Sequence, residues 1–426
     1  SSSSSSSGAA RKERESSRQK GRRRMPYTAY IVEACRTAGG KKNGALREWK
    51  AADLGAAVLD ALVDRTGIDG GAIDEVICGC VDQVGQQAGN IGRMSVLAAK
   101  KIPETVPGTA VDRQCGSGQQ AIAFASQAVM SGVHDVVVAM GVETMTNVPI
   151  GANIIDSYKA GRGMPSEANG IQEKRPGVQF SQFMGAELLA KKHKLSREEL
   201  DNFAVASHQK GAKATSEGYF KREIVPLQGV NKQGESIVHD KDEGVRPATS
   251  IESLSKLKTL QKDGMITAAT SSQICDGSAA ILICNERGLK KLGLKPRAKI
   301  VQIAGAGSDP VIMLEGPIPA TEIAFRKSGL TMDQMDLYEV NEAFAPVPVA
   351  WAKALGADLN KLNVNGGACA LGHPLGCTGV KLMTTLVHEL ERRGGKYGLQ
   401  AICEGGGTAN ATIIERVTDY QAPANL

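Results

Sequence analysis

A chain of 426 residues, 42% hydrophobic and 23% charged, carries enough apolar material for one large core or several smaller ones, which excludes a disordered protein. Aromatic residues make up only 4% while glycine numbers 49, so Ala, Val, Ile and Leu must fill the interior and backbones must approach closely, as in a layered α/β protein rather than a β-sandwich. Much of the formal charge of +6 sits in the first 24 residues, where Arg11, Lys12, Arg14, Arg18, Lys20, Arg22, Arg23 and Arg24 face only Glu13 and Glu15. The remainder is nearly neutral, and nucleic acid is not an expected partner.

Residues 1–24 open with seven serines and continue as a basic Ser-rich head that cannot bury apolar surface and is expected to be disordered. It reads either as a presequence of mitochondrial type or as an extension ahead of a natural start at Met25. From residue 29 the pattern alternates: strand 29–34, helix 51–65, strand 75–81, helix 91–101, strand 108–114, helix 118–131, strand 135–143. The same order returns after residue 295: strand 298–307, helix 321–328, strand 337–344, helix 347–355, strand 363–367, helix 378–393, then strands at 398–407 and 411–417. One βαβαβαββ unit is thus predicted twice, over residues 25–143 (completed by about 265–293) and 294–426. Between them, residues 144–264 turn polar and read as an inserted loop domain with two clear helices, at 181–194 and 196–217, the second opened by the capping box Ser-Arg-Glu-Glu.

The nine cysteines, at 35, 78, 80, 115, 275, 284, 369, 377 and 403, form no paired CxxC groups, so neither a disulfide framework nor a metal site is expected. A reducing compartment follows, with cytoplasm, mitochondrial matrix and peroxisome as alternatives; the terminal Ala424-Asn425-Leu426 resembles a peroxisomal tripeptide. No apolar run is long enough to span a bilayer.

Three residues stand where strands are predicted to end. Cys115, in VDRQCGSGQQA, lies between a strand and a helix, so its thiol is expected to face the positive end of a helix dipole, which lowers a thiol pKa. The alternative is a buried structural cysteine, but Arg113, Gln114 and Ser117 argue against a purely apolar niche. His373, in NGGACALGHPLGCTG, occupies the corresponding elbow of the second unit, and a neutral imidazole there can take the thiol proton. Cys403 precedes Glu404-Gly405-Gly406-Gly407, a run whose amides can gather round an oxyanion. Asn341-Glu342 closes another strand, where either side chain could instead cap the following helix. Each taken singly is as readily structural as functional, whereas together they describe one site.

CGSG, NEAF, NGGACALGHPLGCTG and Cys-x-Gly-Gly-Gly, in this order, resemble the segments of the thiolase family, and the likeness runs from Met25 to Val417. The resemblance implies a five-layered αβαβα fold of two repeated domains with a loop domain over the coenzyme A site, in a homodimer or homotetramer. It implies that Cys115 is acylated, that His373 activates it, and that Cys403 moves the α-proton of acetyl-CoA. Asn341 would hold a water beside His373 in one oxyanion pocket, and the amides of Cys115 and Gly405 would form the other. Coenzyme A and acyl-CoA enter as substrates, no cofactor is permanently bound, and Arg246, Ser253, Ser272, Met184, Ala343 and Phe344 match positions that approach them.

Within that resemblance the preferred reading is an acetyl-CoA acetyltransferase, the alternative a 3-ketoacyl-CoA thiolase of longer acyl chains. Phe183 stands where many acetoacetyl-CoA thiolases have His, and TAATSS at 267–272 has Ala269 where the usual turn has Gly, which bears on chain length. A decarboxylating ketoacyl synthase would want a second histidine where Cys403 stands. A cysteine hydrolase has no use for the Cys403 glycine run, and a non-catalytic CoA-binding protein no use for the four site residues.

Overall fold

The computed structural model describes residues 27–421; the basic head and the terminal tripeptide lie outside them. Two residue pairs, Tyr30 with Lys299 and Ile31 with Ala298, join β1 (Tyr30–Thr37) to β10 (Ala298–Gly307). Outward from β1 run β9 (Cys275–Cys284), β5 (Val136–Thr144), β3 (Glu75–Gly79) and β4 (Gly108–Val111). Outward from β10 run β13 (Thr408–Arg416), β12 (Tyr397–Glu404) and β11 (Leu337–Val340). Numbered within its own half, each side reads first, fifth, fourth, second strand away from the seam. The sheet order is palindromic, which is the predicted duplication in structural form.

One predicted strand fails. The third strand of the second half, expected at 363–367, is reduced to a single bridge between Tyr338 and Leu362. Asn363 takes a positive φ of 43° and Gly366 one of 82°, which no strand accommodates. The Asn363 side chain instead accepts from the amide of Val340 and donates to its carbonyl, both at 2.9 Å, standing in for the missing ladder.

Alternation along the strands makes the layers. Val136, Val138 and Met140 of β5 face Leu54, Val58 and Leu62 of α1 (Ala51–Thr66) and Ile91 and Val96 of α2 (Ile91–Ala98). Val137 and Ala139 face the other way, onto Ile122 and Val129 of α3 (Ser117–Ser131). In the insertion lie α4 (Ala152–Lys159), α5 (Asn169–Lys174), α6 (Gln182–Lys192), α7 (Arg197–Ser216) and α8 (Ile251–Ser255); α9 (Glu286–Leu292) leads out of β9. The second half places Tyr338, Leu399 and Ile413 against α10 (Pro317–Ser328) and α11 (Pro346–Leu355), where Trp351 is fully buried. Its opposite face, with Leu337 and Ile414, meets α13 (Thr378–Arg393), which follows the one-turn α12 (Ala368–Leu371). Helices α3 and α13 therefore share the middle layer of an αβαβα stack.

Their N-terminal turns cross at two glycines. A Cβ on Gly379 would lie 2.0 Å from the amide nitrogen of Gln119, and one on Gly118 would lie 2.7 Å from the carbonyl of Gly376. Only hydrogen fits at either position, and this contact brings the two predicted elbows to one place.

The insertion contains the two expected helices, α6 and α7, with the Ser196 and Glu199 capping box formed. Helices α4, α5 and α8 and the hairpin of β7 (Leu227–Val230) with β8 (Ser236–His239) were not predicted, because short elements in a Gly-rich, polar stretch leave no periodicity. While the short β2 (Gly40–Lys41) pairs with β9 within the core, the insertion is tied to the core by β6 (Ile224–Val225), parallel to β1. It is also tied by an ion cluster without solvent access: Arg36 meets Glu223 at 2.7 Å and Asp242 at 2.9 Å, and Lys381 lies 3.7 Å from Asp242. Among the described residues no helix is long and apolar enough to cross a membrane.

Candidate active site

The first elbow is built by local hydrogen bonds. After β4, Gln114 adopts a left-handed φ of 50°, its amide donating to Asp112 Oδ1 at 2.7 Å. Ser117 Oγ accepts from the amide of Arg113 at 2.8 Å and donates to the carbonyl of Gln114 at 2.6 Å. This turn drops Cys115 at the mouth of α3, packed with Met145, Leu375 and Ile402. The Gln182 side chain hydrogen bonds its thiol, a partner that nothing in the sequence signalled.

The expected lowering of this thiol is not what results. Burial pushes Cys115 up to about 12, and the negative charge of Glu404 adds to that, so the helix terminus and Gln182 are outweighed. The thiol is therefore protonated at rest, and to act as a nucleophile it would need a base.

A group with the chemistry of such a base stands at the second elbow. His373 is held by its amide, which donates to the Gln273 carbonyl at 3.0 Å, while Lys381 Nζ donates to the carbonyl of Leu371 at 2.6 Å just before it. Thr378 Oγ1 donates to the Pro374 carbonyl at 2.9 Å and so has only a lone pair to offer His373 Nδ1, which carries the proton. Nε2 is left with its lone pair, toward which Asn341 Nδ2 points from 3.3 Å. Burial, aided by Lys381, lowers the ring to about 3, so it is neutral and able to accept a proton at any ordinary pH. Asn341 Oδ1 is buried without a protein partner, an acceptor in the same niche.

Cys403 is the next-to-last residue of the buried run of β12, and burial holds its thiol well above the ordinary value. The next contributions come from Cys115 and Glu404, which shows the two thiols to be electrostatic neighbours. Gly405 follows, close enough to Gln114 that a Cβ would lie 2.8 Å from its Oε1. Glu342, by contrast, turns away: it accepts from Ser207 Oγ at 2.7 Å, Asn363 Nδ2 at 2.9 Å and the Cys369 amide at 3.0 Å, and braces the loop before His373.

A cavity of about 540 Å3 opens at His373, walled by Ile150, Phe180, Phe183, Leu260, Ile274 and Phe344. Ser272 and Ala343 also line it, and Gln182 connects it to Cys115. Phe183 stands edge-on to Phe344 with centroids 5.5 Å apart. Met184, Arg246 and Ser253 are exposed and outside this lining; Ser253 Oγ is engaged in capping α8 with Ser250. All nine cysteines are free and buried, and no group of three metal-ligating side chains occurs among the described residues.

A buried thiol at one elbow, a neutral imidazole at the other and a second thiol beside the first are the groups that transfer of an acyl group through cysteine would require. Comparison with known proteins agrees over the whole fold. Residues 29–287 match the thiolase N-terminal domain and residues 294–416 the thiolase C-terminal domain. A steroid 3-ketoacyl-CoA thiolase of Mycobacterium tuberculosis is 50% identical over 398 residues, 93% of this chain and 96% of the relative. A β-ketoadipyl-CoA thiolase of Acinetobacter baylyi is 40% identical, covering 91% of this chain and 99% of its own. Among solved structures, the human mitochondrial 3-ketoacyl-CoA thiolase superposes with a TM-score of 0.82 at 38% identity, covering 92% of this chain and 100% of that one. The acetyl-CoA acetyltransferase of Bacillus anthracis gives 0.83 at 37%, with the same coverage of both chains. The chain belongs to the thiolase family and is an acyltransferase.

Proposed function

We propose that this thiolase acts on 3-oxoacyl-CoA substrates whose acyl part exceeds four carbons. The observation that carries this reading is the aromatic and aliphatic wall of the cavity at His373, with Phe183 against Phe344. Phe180 is shared with a second cavity of about 510 Å3, lined by Ile154, Ile155, Tyr158, Met164 and Val178 together with the polar Glu167, Gln172 and Gln179, which adds room beyond the first. The printed name of the M. tuberculosis relative, a steroid 3-ketoacyl-CoA thiolase, supports the same reading.

In this reading His373 Nε2 takes the Cys115 proton as sulfur attacks the 3-oxo carbon. The tetrahedral intermediate collapses to an acyl-Cys115 thioester and the acetyl-CoA enolate, which Cys403 protonates. Coenzyme A, a co-substrate rather than a resident cofactor, then takes the acyl group onto its sulfur, its thiol proton returning to Cys403 while the departing Cys115 sulfur recovers its proton from His373. The amides of Cys115 and Gly405 serve one oxyanion, and His373 with a water on Asn341 the other. Residues 144–264 cover the coenzyme, with Ser272, Ala343 and Phe344 nearest the reacting end and Met184, Arg246 and Ser253 further out. Condensation of two acetyl-CoA is the reverse run of the same steps, and the working unit is a homodimer or homotetramer.

The deciding experiment compares kcat/KM for four-carbon and ten-carbon 3-oxoacyl-CoA. The longer substrate is expected to be favoured. Turnover of the four-carbon substrate alone would return the protein to the acetyl-CoA acetyltransferase reading.

A further inference from the structure

The fourth strand of each half carries a buried glutamate at its C-terminal end, Glu143 next to last in β5 and Glu404 last in β12. Their surroundings differ. Glu143 accepts from the amides of Val81 at 2.9 Å, Gly376 at 2.8 Å and Asp82 at 3.1 Å, and from Gln87 Nε2 at 2.7 Å. Both its oxygens are engaged, and it braces the His373 elbow. Glu404 accepts from Arg113 Nε at 2.9 Å through Oε2 alone, and its Oε1 is buried with no partner. That oxygen presses on the residue after Cys115, since a Cβ on Gly116 would lie 1.9 Å from it.

We propose that Glu404 is a positioning residue that sets how many negative charges the Cys115 and Cys403 thiols can hold, the site as a whole carrying one anion shared between the carboxyl group and a thiol. Two anions in a dry niche repel, and a buried charge without a donor is costly. With Glu404 ionised, either thiolate is suppressed; with Oε1 protonated, the orphan acceptor becomes a neutral hydroxyl and one thiolate is tolerated. The two states, carboxylate with thiol and carboxylic acid with thiolate, hold the same number of protons.

The groups facing Glu404 are few. From the first elbow come Arg113 and Cys115, and from its own strand Cys403. Gln120 and Thr408 are neutral and accept from the other guanidinium nitrogens of Arg113 at 3.1 and 2.8 Å, and the Thr408 side chain also hydrogen bonds Glu404. Burial wins over Arg113 and raises Glu404 to about 7, within the working pH range, whereas His373 at about 3 does not titrate there.

This rests on the assignment of Cys115 as nucleophile, so the experiment reports on both. The full-length protein is alkylated with iodoacetamide across pH, and mass spectrometry locates the label. For the wild type the rate should climb tenfold per pH unit, flatten from about pH 7 where Glu404 ionises, and climb again at higher pH. In Glu404→Gln the flat region should vanish, raising the rate near pH 8 about tenfold. A wild-type profile with no flat region overturns the proposal even where the variant does not fold, and a flat region surviving in a folded variant overturns it equally. Label on cysteines other than 115 and 403 overturns the site assignment and this proposal together; label on Cys115 without the break overturns the proposal alone.

Discussion

Thr378 accepts from Nδ1 of His373 because its own hydroxyl proton is spent on the Pro374 carbonyl, 2.9 Å away. The imidazole tautomer is thereby fixed by a residue on the first turn of α13, and the basic lone pair is presented on Nε2. Thr378→Val keeps the shape and removes the acceptor, so the ring is free to carry its proton on the wrong nitrogen. The expected loss is about 10²-fold in kcat/KM, the scale of general-base catalysis, with Thr378→Ser retaining most of the activity. Equal activity in the valine variant would sink the tautomer argument.

The two thiols should separate chemically. Cys115→Ala should yield no acyl-enzyme with any acyl-CoA, since no other nucleophile is proposed at the site. Cys403→Ala should still become acylated from acetyl-CoA, detected as a mass shift on the intact chain, while failing in carbon-carbon bond cleavage and formation. Proton transfer to a carbon centre is the step it lacks, and a loss of about 10²-fold or more is the expected scale. Wild-type cleavage by the Cys403 variant would refute the division of labour.

The meeting of the elbows depends on Gly379. A methyl group there would sit 2.0 Å from the Gln119 amide nitrogen, and backbone at the crossing of two middle-layer helices cannot yield as a side chain can. Gly379→Ala should destabilise by about 3 kcal/mol or more and lower the unfolding midpoint in denaturant accordingly. A variant of wild-type stability would mean that the helices slide apart freely, and the close crossing would lose its significance.

Strand and helix alternation made the duplicated sheet legible in the sequence, because strands such as β5 are buried on both faces and read as continuous apolar runs. The missing strand at 363–367 was not legible, since the Asn363 side chain replaces a ladder that the pattern NVNGG equally suits. Cys115, His373 and Cys403 stood out at strand ends, and the structure gathers their elbows. Gln182, Thr378 and Glu404 did not stand out, because a hydrogen bond to a thiol, a tautomer lock and an orphaned oxygen are properties of distance rather than of residue pattern. The pKa of Cys115 departs from the sequence expectation for a related reason: the helix terminus is visible in sequence, but the depth of burial that outweighs it is not.

His388 gives a pH dependence with a definite sign. Its Nε2 donates to the Ala34 carbonyl at 3.0 Å, and its Nδ1 lies 3.2 Å from Arg297, from which only a neutral ring can accept. Burial, then Arg297, lowers it to about 3 against an ordinary 6.5. The unfolded chain therefore binds a proton below 6.5 that the fold refuses, so the stability is complete above that value and is lost as pH falls toward 3. Glu404 runs the opposite way, its contribution being present at acid pH and lost as pH rises through about 7, so absolute curves mix the two. Comparison with His388→Gln, which keeps a donor and an acceptor, isolates the histidine. Between about pH 7.5 and 5.5 the wild type should lose roughly 1.4 kcal/mol more than the variant in urea unfolding. Parallel curves for the two proteins would show that His388 takes up its proton in the fold as readily as in the unfolded chain, contrary to the neutral ring that Arg297 and Ala34 define.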